Sequence, residues 1–176
     1  GVVIRNDEVI IPNGDFVIEE GDRMYVIGKP SDIYNFCKLS GKIPHKIRNV
    51  MIAGGGRIAI YLAKLLAEMG IKVKIIEYDR EKCVQLSELL PEALIIYGDC
   101  TDEELLNSEN ISDMDGFVAV TGMDEENLMA GLMAKQMGIK KVIAKISRAS
   151  YINIIKDLGI DSVISPKLIT TNHILK

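Results

Sequence analysis

Histidine is nearly absent from this sequence. The two present, His45 and His173, lie in a polar connector and close to the C-terminus. No Ser/His/Asp or Cys/His set suggests itself, and no metal-ligand spacing occurs, so nucleophilic and metal-assisted catalysis have little to build on. Cysteine is scarce as well. Cys37, Cys83 and Cys100 are an odd number without a CxxC pair, which fits a reducing cytosol better than a disulfide scaffold. There is no block of Lys or Arg, and the net charge is −4, so the electrostatic footprint of a nucleic-acid binder is missing. No run of about 18 apolar residues exists; the most apolar helical stretch, 58–69, is interrupted by Lys64 and Glu68. The N-terminus has no signal-peptide layout. It also has no initiator Met before Gly1-Val2-Val3-Ile4, as expected of an excised fragment.

What is there is enough apolar material for a core. The 176 residues are 48% hydrophobic and 26% charged, enough for one full domain and part of a second. The first forty residues have their own texture. Short β-type runs at 2–5 and 8–11 flank Asn6-Asp7, a two-residue hairpin signal, and a third run covers 24–27. Pro30-Ser31 reads as a helix start with Ser31 as N-cap, the helix reaching about Leu39. Three small strands and one helix bury little core alone, so this segment reads as part of a domain or a cap. The polar stretch from Ser40 to Lys46, punctuated by Gly41 and Pro44, marks the boundary.

From Val50 onward the pattern alternates. Apolar strand-like runs at 50–53, 73–76, 93–97, 117–120, 142–146 and 162–164 are separated by helix-like stretches at 58–69, 80–90, 101–107, 125–137 and 149–158. Three helices end in one device: Gly70, Gly138 and Gly159 each stand where a left-handed C′ residue belongs, with an isoleucine next. Near-continuous Val/Ile strands suit a parallel sheet covered on both faces. The fold class is therefore α/β, a doubly wound parallel Rossmann sheet in order 3-2-1-4-5-6, from about Asn49 to Ser165, preceded by a small α+β segment.

The first strand-to-helix turn carries the chemistry. Gly54, Gly56 and Ala59 fit GxGxxG/A. The first glycine permits the tight turn, the second lets a pyrophosphate approach, and the small third residue lets helix and strand pack closely. Helix N–H groups then face the phosphates. Glu77 ends the second strand, 23 residues after Gly54, where a carboxylate accepts from ribose hydroxyls and repels a 2′-phosphate; NAD(H) is favoured over NADP(H). Asp79 reads as the N-cap of the next helix. Asp99, after the third strand, is placed either to accept from the adenine amino group or, with Thr101, to cap a short helix. Thr121 and Asn127, across the switch point, are placed for the second ribose or phosphate. Asp124 reads as an N-cap, Lys145 and Arg148 as phosphate partners or solvated cations, and Cys100 as a small buried residue. A dehydrogenase also needs a second domain to present its substrate, so the nucleotide reads as bound without being consumed.

The segments Gly54-Gly55-Gly56-Arg57-Ile58-Ala59, Ile76-Glu77-Tyr78-Asp79, Gly98-Asp99-Cys100-Thr101-Asp102, Val120-Thr121-Gly122-Met123-Asp124-Glu125-Glu126-Asn127 and Val163-Ile164-Ser165-Pro166 together resemble the TrkA N-terminal (RCK/KTN) domain. The leading stretch, with Val9-Ile10-Ile11-Pro12-Asn13-Gly14-Asp15 and Glu20-Gly21-Asp22-Arg23-Met24-Tyr25-Val26-Ile27-Gly28, looks like the second half of a TrkA C-terminal (RCK-C) domain. The resemblance implies a partial RCK-C domain over 1–40, a linker over 41–48 and an RCK-N domain over 49–176, as in a slice from the middle of a tandem TrkA. It also implies a non-enzymatic, cytosolic regulatory subunit at the inner face of the membrane. Such a subunit gates a Trk/Ktr-type potassium transporter and pairs as a homodimer or higher homo-oligomer through its Rossmann domain. Its cofactor would be NAD(H), with ATP/ADP or AMP as alternatives. Carried over, Gly54, Gly56 and Arg57 hold phosphate, Glu77 ribose, Asp99 and Cys100 adenine, and Thr121 stands opposite. Ile58, Tyr78, Gly122, Asn127 and Arg148 complete the expected nucleotide-binding set. Cys100 departs from the small residue, such as Ala, that is commoner there. Two other functions stay open on the sequence: an NAD-dependent oxidoreductase fragment lacking its substrate domain, and a scaffold whose pocket stays empty.

Overall fold

A computed structural model describes residues 1–6, 8–41, 46–148, 150–151 and 158–166 of the chain. It divides into two compact units, Gly1–His45 and Lys46–Lys176.

In the first unit β1 (Val2–Arg5) is the centre of an antiparallel sheet, with β2 (Glu8–Ile10) on one side and β3 (Arg23–Tyr25) on the other. Arg5 stands opposite Glu8, so the connection is the two-residue kind, and Asn6 takes the left-handed conformation (φ 50°) that such a turn needs; Asp7 lies outside the described residues. Arg5 ties the unit together, donating to Asp22 and Glu19 at 2.8 Å and lying over the Phe16 ring. The Arg5 guanidinium holds the Asp22 carboxyl down at about 2. Helix α1 (Pro30–Leu39) starts two residues earlier than an N-cap at Ser31 implies. Lys29 occupies the N-cap position without a side-chain cap, and Pro30, whose fixed φ suits the first helical position, opens the helix. Ser31 is already inside it, its hydroxyl turned to Asp32 at 3.4 Å.

The second unit runs β4 (Asn49–Ala53), α2 (Arg57–Glu68), β5 (Lys72–Glu77), α3 (Arg80–Leu89), β6 (Ala93–Tyr97), α4 (Glu103–Ser108), a 3₁₀ turn at Ile111–Asp113, β7 (Gly116–Ala119), α5 (Asp124–Gln136), β8 (Lys141–Lys145) and β9 (Ser162–Ile164). All six strands are parallel, in order β6-β5-β4-β7-β8-β9. This is the doubly wound 3-2-1-4-5-6 order. Side chains alternate across β4: Val50 and Ile52 join Ala59, Ala63, Leu86 and Leu90 on the face of α2 and α3. Met51 and Ala53 join Phe117, Leu106, Ala130 and Ala134 on the face of α4 and α5. Strands β4, β5 and β7 are thus packed on both faces, which accounts for their near-continuous apolar composition.

At two of the glycine stops the following isoleucine amide closes the helix. Ile71 donates to Leu66 O at 2.9 Å and Ile139 to Ala134 O at 3.1 Å, the six-to-one bond of a Schellman end. The helix expected over 149–158 lies outside the described residues except for Ser150, Tyr151 and Leu158.

Candidate nucleotide site

The carboxyl ends of β4, β5, β6 and β7 converge on one cleft of about 560 Å³. Its walls are the 54–58 turn, Glu77, Tyr78, Lys82, the 98–100 turn, Val120, Thr121, Gly122, Glu126 and Lys145. A second hollow of about 370 Å³, between the ends of α2 and α3, is floored by Ala63, Val73 and Leu90 and lacks the glycine turn. Only the first lies at the topological switch point, where a doubly wound sheet receives its ligand.

The three glycines of the turn are required for three different reasons. Gly54 has φ +94°, and a Cβ there would stand 2.9 Å from the backbone N and Cα of Thr121. Its conformation and its neighbours both demand glycine. At Gly55 a Cβ would meet Leu86 Cδ1 at 2.3 Å and Glu77 Oε2 at 3.0 Å, a role that the GxGxxG pattern does not assign. Gly56 has an ordinary extended backbone (φ −74°, ψ −179°), and a Cβ there would touch nothing within 4 Å. Neither strain nor packing explains Gly56. The open space in front of it does: it is the room a phosphate needs at the start of α2, whose N-cap position offers no side-chain acceptor. The residues present therefore fit the diphosphate of an adenine dinucleotide.

Glu77 is only 4% exposed. Its Oε2 accepts from Gly55 N at 2.8 Å and its Oε1 from Asp79 N at 3.0 Å. The acid that faces the expected ribose position also braces the glycine turn, and each oxygen keeps a further lone pair for a hydroxyl. Asp79 caps α3 as expected, accepting from Glu81 N and Lys82 N. The capping role considered for Asp99 or Thr101 belongs instead to Asp102, which accepts from Glu104 N and Leu105 N because the helix starts only at Glu103. Asp99 Oδ1 accepts from the amide and hydroxyl of Thr101 at 2.8 and 2.7 Å, an Asx-type turn that holds the loop at the cleft wall.

Cys100 is buried on the cleft floor. Burial first, then the nearby charges of Asp99 and Glu126, pushes its thiol up to about 11. Iodoacetamide at pH 8 should therefore alkylate Cys100 about a hundredfold more slowly than an unperturbed, accessible cysteine. Peptide mass mapping over time checks this; labelling at the ordinary rate would contradict the burial.

On the far side, α5 organises two loops. Asn127 is fully buried. Its Oδ1 accepts from Thr121 N at 2.7 Å, and its Nδ2 donates to Lys145 O at 3.0 Å and Thr121 O at 3.4 Å. The Lys145 ammonium also donates to Thr121 O. Asp124 is not a cap; Met123 holds the N-cap position. The Asp124 carboxylate instead accepts from the Ser147 and Arg148 amides at 2.9 Å, fastening the chain that leaves β8. Burial raises the Asp124 pKa, but those N–H donors and the Arg148 charge outweigh it and leave it below the usual range. A depressed folded-state pKa contributes stability above the unfolded value of about 3.9, lost as pH falls through the lower folded value. Asp124→Asn should flatten the acid limb of the stability curve below about pH 4. Urea midpoints from pH 2 to 6 test it, and an acid limb as steep as that of the parent protein would contradict it.

Of the nucleotide set expected from sequence, Gly54, Gly56, Arg57, Ile58, Glu77, Tyr78, Asp99, Cys100, Thr121 and Gly122 line the cleft. Asn127 lies beneath the wall, and the Arg148 guanidinium is engaged with Glu125 and the Tyr151 hydroxyl at 2.9 Å. Lys82 and Glu126 line the cleft without having been singled out. Both sit in the first turn of the helix that follows a strand end, and that position is the signal that points to them. Among the described residues no group of His, Cys, Asp and Glu is arranged to hold a metal ion, and no helix is long and apolar enough to cross a membrane.

Comparison with known proteins places this geometry. The TrkA-N domain model matches residues 50–166 and the TrkA-C domain model residues 1–41. A Trk system potassium uptake protein trkA homolog 1 of Methanosarcina mazei is 43% identical over 176 residues, covering 99% of this chain and 43% of that protein. The Trk system potassium uptake protein TrkA of Halomonas elongata is 39% identical over 173 residues, covering 98% of this chain and 38% of its own length. The chain thus spans about two-fifths of these relatives. Among solved structures, the GsuK channel bound to NAD aligns over 70% of this chain and 22% of its own, at a TM-score of 0.60 and 18% identity. The Shewanella denitrificans Kef CTD in AMP-bound form aligns over 72% of this chain and 77% of its own, at 0.62 and 21%. Likeness at that identity establishes the shared fold.

Proposed function

This chain belongs to the TrkA-N domain family, and from that premise we propose that it is a nucleotide-binding regulatory module of a potassium-uptake system. The relatives' names carry potassium uptake, and the solved structures named above hold NAD or AMP on the same fold. One observation carries the proposal: the open cradle at Gly56, backed by Gly55 and by the buried carboxylate of Glu77. In this proposal Gly54, Gly56 and Arg57 hold the diphosphate, Glu77 the adenosine ribose, Asp99 and Cys100 the adenine edge, and Thr121 with Gly122 the opposite wall. Tyr78 and Ile58 close the sides. Asn127 positions Thr121 from below, and Arg148 fixes the neighbouring loop.

The ligand is read as an effector that is not turned over. A regulatory ligand acts through differential affinity for two arrangements of an assembly, about 1–3 kcal/mol in ordinary cases. The assembly proposed is a homo-oligomer of Rossmann domains at the cytoplasmic face of a membrane potassium transporter.

Denaturant unfolding with added NADH, NAD⁺, ATP, ADP, AMP or NADP⁺ tests the binding step. An effector at 100 times its Kd adds about 2.7 kcal/mol, and NADP⁺ should fall well short of NAD⁺, because Glu77 faces the 2′ position. No stabilisation by any adenine nucleotide would leave a structural scaffold. A substrate-dependent change in nicotinamide absorbance would make the chain part of an oxidoreductase.

A further inference from the structure

The sheet sets the order in which a nucleotide would cross the cleft. The phosphate cradle stands after β4, at the start of α2; Glu77 ends β5; the 98–100 turn follows β6, the next strand out. With phosphates on the glycine turn and the ribose on the acid that ends the second strand, the base lies at the β6 end, over Cys100. Helix α5 reaches the same end. Its Ala130 packs in one core cluster with Cys100, Ile96 and Leu106. Glu126 is four residues before Ala130 in the same helix, hence on the same face and one turn nearer the carboxyl edge of the sheet. It therefore stands at the rim of that cluster, half-buried, and lines the cleft.

The neighbouring acids are already engaged. Asp124 is committed to the Ser147 and Arg148 amides, and Glu125 to the Arg148 guanidinium and the Tyr151 hydroxyl. Asp99 is exposed, and one of its oxygens accepts twice from Thr101. Glu126 has no hydrogen-bond or ion-pair partner among the described residues. A partly desolvated carboxylate is costly unless something donates to it. Burial first, then the charges of Asp99 and Glu126, keep the Cys100 thiol neutral, so both carboxylates bear on the floor where the base would rest. Water screens the exposed Asp99, whereas the half-buried Glu126 acts through a lower effective dielectric. The cations of the cleft have other places: Arg57 opens α2, the Lys145 ammonium donates to Thr121 O, and Lys82 stands by Asp79 and the Tyr78 ring.

We infer that Glu126 selects the base in this cleft, accepting a hydrogen bond from the exocyclic amino group of adenine and repelling a base with a carbonyl in that place. The inference rests on the proposed nucleotide site and narrows it. An ionised carboxylate only accepts. Adenine brings it a donor, whereas hypoxanthine turns carbonyl lone pairs toward it and leaves it unpaired. A site built around one such polar group rejects the analogue that cannot pair with it.

Calorimetric titration of the purified protein tests this with two pairs of ligands, NADH against its hypoxanthine analogue and AMP against IMP. Within each pair the phosphates, riboses and net charge are the same. The parent protein should bind the adenine member of each pair at least about tenfold more tightly. Glutamine both donates and accepts, so Glu126→Gln should bind the two members within about threefold of each other. Glu125→Gln removes the same charge from the same helical turn, but from a side chain turned to Arg148, and should keep the parental ratio. Equal binding of both members by the parent protein, or a parental ratio in Glu126→Gln, would overturn the inference while the nucleotide site stands. So would a ratio that collapses in Asp99→Asn but not in Glu126→Gln, which would give the role to Asp99. Failure of both pairs to bind the parent protein would overturn the site itself.

Discussion

Gly56→Asp should leave the protein as stable as before, or slightly more so, while nucleotide binding falls by at least a hundredfold. The two halves of this expectation come from one position. Gly56 is the N-cap of α2 and has the extended backbone that any residue adopts. A Cβ there meets nothing within 4 Å, so a side chain costs no repacking. Aspartate is among the preferred N-caps, because its carboxylate accepts from the free amides of the first turn, and it exceeds glycine there by a few tenths of a kcal/mol. Those amides are the ones a phosphate would use. The new carboxylate fills the cradle and sets a negative charge within about 5 Å of the ligand's phosphates, worth about 3 kcal/mol at an effective dielectric of about 20. That is more than the 2.7 kcal/mol equivalent to a hundredfold in Kd. Urea unfolding and calorimetric titration of NADH read the two effects separately. Tight binding by the variant would move the phosphate away from this turn, and a loss of stability would mean that the space before Gly56 belongs to the fold rather than to a ligand.

That separation was only half legible in the sequence. The spacing Gly54, Gly56, Ala59 after a Val/Ile run identifies the turn, and strand order follows from the alternation, because right-handed crossovers leave few other ways to bury both faces of six parallel strands. Glu77 and Asp79 are legible for the same reason: both are local, one at a strand end and one just before a helix. What is long-range is not legible. Nothing near Gly55 in sequence announces Leu86 and Glu77, 31 and 22 residues on, which leave it no room for a Cβ. The run Asp124-Glu125-Glu126-Asn127 looks like an ordinary acidic helix start, and local rules make Asp124 a cap. Its partners arrive only when β8 has returned alongside β7, bringing Ser147 and Arg148 to the start of α5. Ser31 shows the complementary failure. Two local signals competed, a serine that favours the N-cap and a proline that favours the first helical position, and the proline prevailed.

Asn127→Ala should be the most damaging single change to the cleft, destabilising the protein by about 3 kcal/mol and weakening nucleotide binding with it. Asn127 is fully buried and serves two loops: it accepts from the Thr121 amide and donates to the carbonyls of Thr121 and Lys145. Truncation strands these groups, each buried group left without a partner costing about 1–3 kcal/mol. Lys145 still reaches Thr121 O through its ammonium, so that carbonyl is spared, and the loss falls on the Thr121 amide and the Lys145 carbonyl. Asn127→Asp sharpens the test. Aspartate keeps the acceptor for the Thr121 amide but turns a donor into a second acceptor facing the Lys145 carbonyl. The variant should be at least as unstable as Asn127→Ala at pH 7 and should recover part of the difference as the pH falls and the carboxyl takes up a proton. The Thr121–Gly122 wall depends on this bracket, so affinity for NADH should decline in both variants even though Asn127 itself does not line the cleft. A variant that folds with parental stability would show that the bracket does not hold the loop. Parental affinity in a destabilised variant would show that the loop is held but takes no part in binding.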